Sequence, residues 1–164
     1  MHDYPRKIIV FRHAEEPAHE NDQRLSPIGR GRAGYLATYI PRNFGKPDYI
    51  FACKPTRQGL HPLLTVLPLF ESLEGVPLNV FCPHDFHALI ARSIIHGSGM
   101  PSGKYAGRNI VICWHHSKIP ALLASLGAEP GKYPDPWPDD DFGSVYVLAR
   151  DNDRVITTRY EMMF

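Results

Sequence analysis

The chain has 164 residues, enough for one domain to bury most of its apolar surface around a single core. Eighteen Lys and Arg stand against 17 Asp and Glu, a formal net charge of +1, which excludes the broad fields that gather nucleic acid or an anionic membrane and makes any basic site local. No apolar run approaches the roughly 18 residues of a spanning helix, no secretory leader pattern opens the chain, and Cys53, Cys82 and Cys113 form neither a Cys-x-x-Cys pair nor an even framework, so a soluble, cytoplasmic chain is expected.

Sixteen prolines and thirteen glycines separate recurring apolar runs, the pattern of short connections between buried elements. Lys7 to Phe11 is a strand-forming run that stops at Arg12-His13, with Ala14-Glu15-Glu16-Pro17 behind it. That puts a cation and an imidazole at the carboxyl end of a strand, where open α/β sheets bind their ligands. His19 to Arg24 reads as a loop. Ser26 as cap and Pro27 at the first helical position then start a helix to about Ile40, which Pro41 to Pro47 break. Asp48 to Cys53 reads as a second buried strand, and Leu63, Val66, Leu67, Phe70 and Leu73 recur at helical spacing across Pro62 to Leu73. A third short strand is expected at Pro77 to Cys82 and a third helix at Phe86 to Ile95, with Asp85 in the capping position. The glycine-rich loop His96 to Arg108 leads to a fourth buried strand, Asn109 to Trp114, which ends in His115-His116. Ile119 to Leu126 is a helix closed by Gly127. Beyond a Pro- and Asp-rich loop, Glu129 to Asp141, the runs Ser144 to Ala149 and Val155 to Tyr160 flank a turn at Asp151-Asn152-Asp153 as an antiparallel hairpin. Strands alternating with helices predict an α/β fold: a single domain over 1–164, a three-layer αβα sandwich with a mainly parallel sheet and the antiparallel hairpin at its end.

Four predicted strands end in polar or reactive residues: Arg12-His13, Cys53-Lys54, Cys82-Pro83-His84-Asp85 and His115-His116. Here the chain resembles the histidine phosphatase superfamily, which includes the cofactor-dependent phosphoglycerate mutases and many small phosphatases. Phe11-Arg12-His13-Ala14-Glu15 is similar to the family's Arg-His-Gly motif in an Arg-His-Ala-Glu variant. Leu25-Ser26-Pro27-Ile28-Gly29-Arg30-Gly31-Arg32-Ala33 is similar to the segment that follows it, and His116-Ser117 with Ile119-Pro120-Ala121-Leu122-Leu123 to the second histidine motif and its helix.

The resemblance implies a phosphatase with no metal and no other cofactor. Its partner would be a small phosphorylated substrate or, as in some short relatives, phosphohistidine in a phosphoprotein. His13 is the implied nucleophile, forming a phosphohistidine that water hydrolyses. Arg12 and His116 hold the equatorial oxygens, and Asp85 protonates the leaving oxygen, with Glu74 a weaker candidate. Glu15 and Glu16 are expected to orient neighbours or face solvent.

Three positions depart from the family pattern. Counting back from Thr65 puts His61 where the second arginine stands, with Arg57 four residues earlier as the alternative phosphate clamp; Ala14 replaces a glycine, and so does His115. An imidazole does not reproduce the planar, permanently charged fork of arginine. A second hypothesis is therefore a catalytically weak or inactive phosphate-binding relative, favoured by His61 and His115 and opposed by His13 and His116. A third is a metal site, given His84-x-x-His87 and His115-His116 beside Asp85, Asp139, Asp140 and Asp141. Adjacent histidines on a strand face opposite ways and no His-Glu-x-x-His occurs, so no metal is expected. Cys53 and Arg57 stand too close for a Cys-x5-Arg loop, and the cysteines read as buried side chains. Trp114 and Trp137 read as packing residues, with Trp137 a further candidate for the entrance. Specificity falls to the loops His96 to Gly107 and Glu129 to Asp141.

Overall fold

A computed structural model describes residues 3–19, 21–57, 59–97 and 103–164. Strand β1 (Lys7–Arg12) is apolar on both faces because both are covered: Ile8 and Val10 point into one core, Ile9 and Phe11 into the other. The same alternation runs through β2 (Tyr49–Ala52) and β4 (Asn109–Trp114), which pair with one another in parallel, as β4 does with β1. Helices α1 (Pro27–Phe44) and α2 (His61–Glu71) cover one face with Leu36, Ile40, Val66 and Leu69. Helices α3 (His87–His96) and α4 (Ile119–Ser125) cover the other with Ile90, Ile94, Leu122 and Leu123.

The hairpin of β5 (Ser144–Asp151) and β6 (Arg154–Glu161) turns at Asn152, whose φ of 54° is left-handed, and lays β5 antiparallel on β1. With β3 (Leu78–Asn79) at the far edge, the sheet order is β3-β2-β4-β1-β5-β6. This is the expected three-layer α/β sandwich. Among the described residues no helix is long and apolar enough to cross a membrane.

Several element ends differ from expectation. Pro41 does not break α1: a last turn continues to the buried Phe44, and Gly45, at φ 89°, donates its N–H to the Pro41 carbonyl at 3.0 Å. A proline loses its own donor but keeps its acceptor, and the buried Phe44 anchors the turn. Strand β3 is only two residues long, pairing through Leu78 and Asn79 alone. Asp85 does not cap α3; it lies in a short 3-10 turn, His84–Phe86, and Phe86 precedes the helix without a side-chain cap bond. The three cysteines are free and buried. Trp137 is buried too, its Nε1–H on the Asp141 carbonyl at 2.9 Å and its ring against Tyr146, so it packs the core and not an entrance. Of the glycine-rich loop expected before β4, residues 98–102 lie outside the described residues.

Candidate active site

His13 follows β1 directly and is tied across the sheet, its backbone N–H on the Trp114 carbonyl at 3.2 Å. Its ring is fully buried. Nδ1 lies 2.9 Å from the Ala14 carbonyl oxygen; a carbonyl only accepts, so Nδ1 carries the proton and Nε2 the lone pair. Nε2 has no hydrogen-bond partner, although Glu16 Oε1 stands 3.2 Å away, outside hydrogen-bond geometry. Burial drives the His13 pKa down to about 3, with Arg12, His115 and His61 pushing the same way, so the ring is neutral at pH 7.

The loop is braced from α2 and α1. Thr65 Oγ1 accepts the Ala14 N–H at 2.8 Å and donates to the His61 carbonyl at 2.6 Å, locking the start of α2 to the loop behind His13. Arg32 donates bidentately to Glu15, from Nη2 to Oε1 at 2.7 Å and from Nε to Oε2 at 3.0 Å. The Glu15 carbonyl accepts the Ser26 N–H at 2.9 Å, while Ser26 Oγ caps α1 on the Gly29 N–H at 3.0 Å. Position 29 tolerates only glycine, since a Cβ there would overlap the Glu15 carbonyl oxygen.

Glu16, Lys54, His61, His84 and His115 line a cleft with His13. Ring centroids lie 5.5 Å from His13 to His61, 5.6 Å from His13 to His115 and 5.1 Å from His84 to His115. His115 has the tautomer opposite to that of His13. Its Nδ1 accepts the Ser117 backbone N–H at 3.3 Å, so Nε2 bears the proton and is a neutral donor. Burial, with the fields of His116 and His84, lowers its pKa to about 4. Beside it, His116 stacks at 4.4 Å, has a buried Nδ1 without a partner and sets Nε2 3.8 Å from Asp139. Strand β4 stops at Trp114, so strand alternation does not separate the two histidines; the expectation that they face opposite ways is corrected here.

Other sequence candidates lie at varying distance. Arg12 is buried, its Nη1 on the Asp139 carbonyl at 2.6 Å and its guanidinium 3.8 Å from the centre of the Phe142 ring, while Nε has no partner. Asp85 is exposed at the rim, 3.4 Å from His84 Nε2 and 3.6 Å from Lys118 Nζ. Arg57 is exposed and outside the lining, its carbonyl taking a bond from Gln23. Glu74 follows α2, at the opposite end of the sheet from His13. Burial raises all three thiol pKa values, leaving no activated cysteine. Glu16, Lys54, His84 and His115 were not singled out as phosphate-site residues; for Glu16 the signal was its spacing, three residues after His13 on a chain turning away from a strand. Among the described residues two groups bring potential metal-ligand atoms within 4.8 Å of one another: His13, Glu16 and His61, and His13, His115 and His116.

No family model matches the sequence, and no curated protein matches it. Solved structures do. The protein histidine phosphatase SixA complexed with tungstate has a TM-score of 0.61 at 13% identity, over 94% of this chain and 96% of that one. A mycobacterial glucosyl-3-phosphoglycerate phosphatase with inorganic phosphate has a TM-score of 0.54 at 18% identity, over 96% of each chain. The same mycobacterial protein with VO3 gives 0.55 at 17%, over 96% of this chain and 98% of that one. At such identities the likeness is one of architecture, and this chain has the histidine phosphatase fold.

Proposed function

We propose that the chain is a phosphatase that hydrolyses a phosphomonoester or a phosphohistidine through a phosphohistidine intermediate on His13. One observation carries this: a fully buried imidazole whose lone pair is fixed on Nε2 by the Ala14 carbonyl and left unpartnered beside a polar cleft. The phosphatases named among the structural neighbours support it. In the first step the Nε2 lone pair bonds to phosphorus and the bond to the leaving group breaks in line, the leaving atom taking a proton from a carboxylic acid. In the second, water attacks the phosphohistidine, its proton goes to the carboxylate, and Nε2 recovers its lone pair. His115 Nε2–H and Lys54 are suited to the charge on the equatorial oxygens, with His116 and Arg12 behind them. Glu16 is better placed than Asp85 for the proton, being in the cleft.

The inactive phosphate-binding reading also has a specific observation behind it. Arg12 is engaged by Asp139 and Phe142, and among the described residues lining the cleft there is His61 but no arginine fork. Hydrolysis of an aryl phosphate by purified protein decides between them. We expect turnover that disappears in His13→Ala and an acid-labile phosphoryl adduct at His13 in wild type. Turnover that survives His13→Ala overturns the proposal, and vanadate binding without turnover favours the inactive relative.

A further inference from the structure

We propose that the cleft binds a divalent transition-metal ion of the zinc type through His13, Glu16 and His61, and that the bound ion silences His13 as a nucleophile. Candidate ligand atoms of all three lie within 4.8 Å of one another. The His13 Nε2 to Glu16 Oε1 separation of 3.2 Å is already close to a ligand–ligand edge on tetrahedral zinc, about 3.4 Å for bonds of about 2.1 Å. His61, its ligand atom within 4.8 Å of the other two, closes the set by moving inward.

What points to a ligand is the nitrogen without a partner: His13 is fully buried and its Nε2 bonds to nothing. The outer contacts are those that prepare histidines for metal. Backbone carbonyls commonly hold the far N–H of a ligating imidazole, as the Ala14 carbonyl holds Nδ1–H of His13. The Asp22 carbonyl, 3.4 Å from His61 Nε2, favours the proton there and leaves Nδ1 of His61 with its lone pair. Gly59 keeps that nitrogen clear, since a Cβ at 59 would stand 2.7 Å from it. The competing group is less suited: His115 Nδ1 already accepts the Ser117 N–H, so its other nitrogen is protonated. Two imidazoles and a carboxylate suit zinc and leave one position for water. Arginine at position 61 would bring a cation in place of a ligand; the histidine found there turns an anion clamp into a cation site.

The Nε2 electron pair that would attack phosphorus is the pair given to the ion, so the two events exclude each other. This inhibitory half rests on the function proposed above, whereas the binding half does not. Zinc chloride titrated calorimetrically into chelator-treated wild-type protein should show one ion per chain. Affinity should fall at least about tenfold in Glu16→Gln, comparable to losing an outer partner of a metal ligand, and binding should vanish in His13→Gln and His61→Arg. His115→Ala, outside the ligand set, should keep it, and circular dichroism checks that each variant is folded. Aryl phosphate hydrolysis should fall on adding zinc and return with chelator. Absence of saturable binding, or binding untouched by Glu16→Gln and His61→Arg, overturns the site. Hydrolysis that depends on His13 with no zinc binding leaves the phosphatase standing without the site; zinc binding with no hydrolysis does the reverse.

Discussion

A buried imidazole resists protonation because its charged form loses water, and for His13 this brings the pKa to about 3. The unfolded chain, with an ordinary histidine pKa of about 6.5, takes up a proton between these values while the folded chain does not. Stability from this residue is therefore constant above about pH 6.5 and lost progressively as pH falls towards about 3. Urea unfolding at pH 7 and about pH 4.5 should show wild type losing about 2.5 kcal/mol more than His13→Gln over that interval. The proposed nucleophile stays unprotonated through that range, so a fall in activity there would report other groups. Proton delivery is testable in the same spirit. Glu16→Gln should slow an alkyl phosphate, which needs a protonated leaving group, far more than an aryl phosphate with an acidic one, while Asp85→Asn should change both little. Equal losses from Glu16→Gln on both substrates would remove Glu16 from that role. The Arg12-His13 pair was legible because an apolar strand ended on it. That both histidines gather round His13, His115 at 5.6 Å and His116 at 6.2 Å between ring centroids, was not, since it depends on β4 stopping at Trp114, just before them. Nor was the engagement of Arg12 by Asp139, 127 residues away in sequence.

Among the elements, the start of α1 was readable from Ser26 and Pro27, each with a local reason to be there. Its end runs past Pro41 because packing of the buried Phe44 outweighs the hydrogen bond that proline cannot donate, and only tertiary packing shows that Phe44 is buried. The cap expected of Asp85 failed for a similar reason: a 3-10 turn intervenes and leaves its carboxylate exposed. The bracing of the His13 loop by two helices makes its own prediction. Thr65→Val keeps the shape but leaves the buried Ala14 N–H without an acceptor, and should cost about 1–3 kcal/mol in denaturant unfolding while loosening vanadate binding. Gly29→Ala should lower the melting temperature as well, because α1 must move away from Glu15. If vanadate affinity stays unchanged in Thr65→Val, the loop holds its shape without α2.

At the scale of the molecule, alternation of strand and helix was enough to predict layers and a mainly parallel sheet, and the strand ends carrying His13, Lys54, His84 and His115 do meet at one cleft. Strand order was not legible: hydropathy says that β1 is buried on both faces, not that β4 and β5 are its neighbours. The three free thiols lie at different places in this arrangement, Cys53 just past β2, Cys82 in the loop after β3, and Cys113 within the innermost pairing of β4. None is needed by the chemistry proposed for the cleft; Cys53 lines that cleft, whereas Cys82 and Cys113 lie away from it and are shielded, so alkylation of these two by iodoacetamide requires the chain to open around them. The two shielded cysteines thus amount to clocks of local breathing, with Cys82 after the two-residue edge strand due to be labelled well before Cys113, which waits until the whole sheet comes apart.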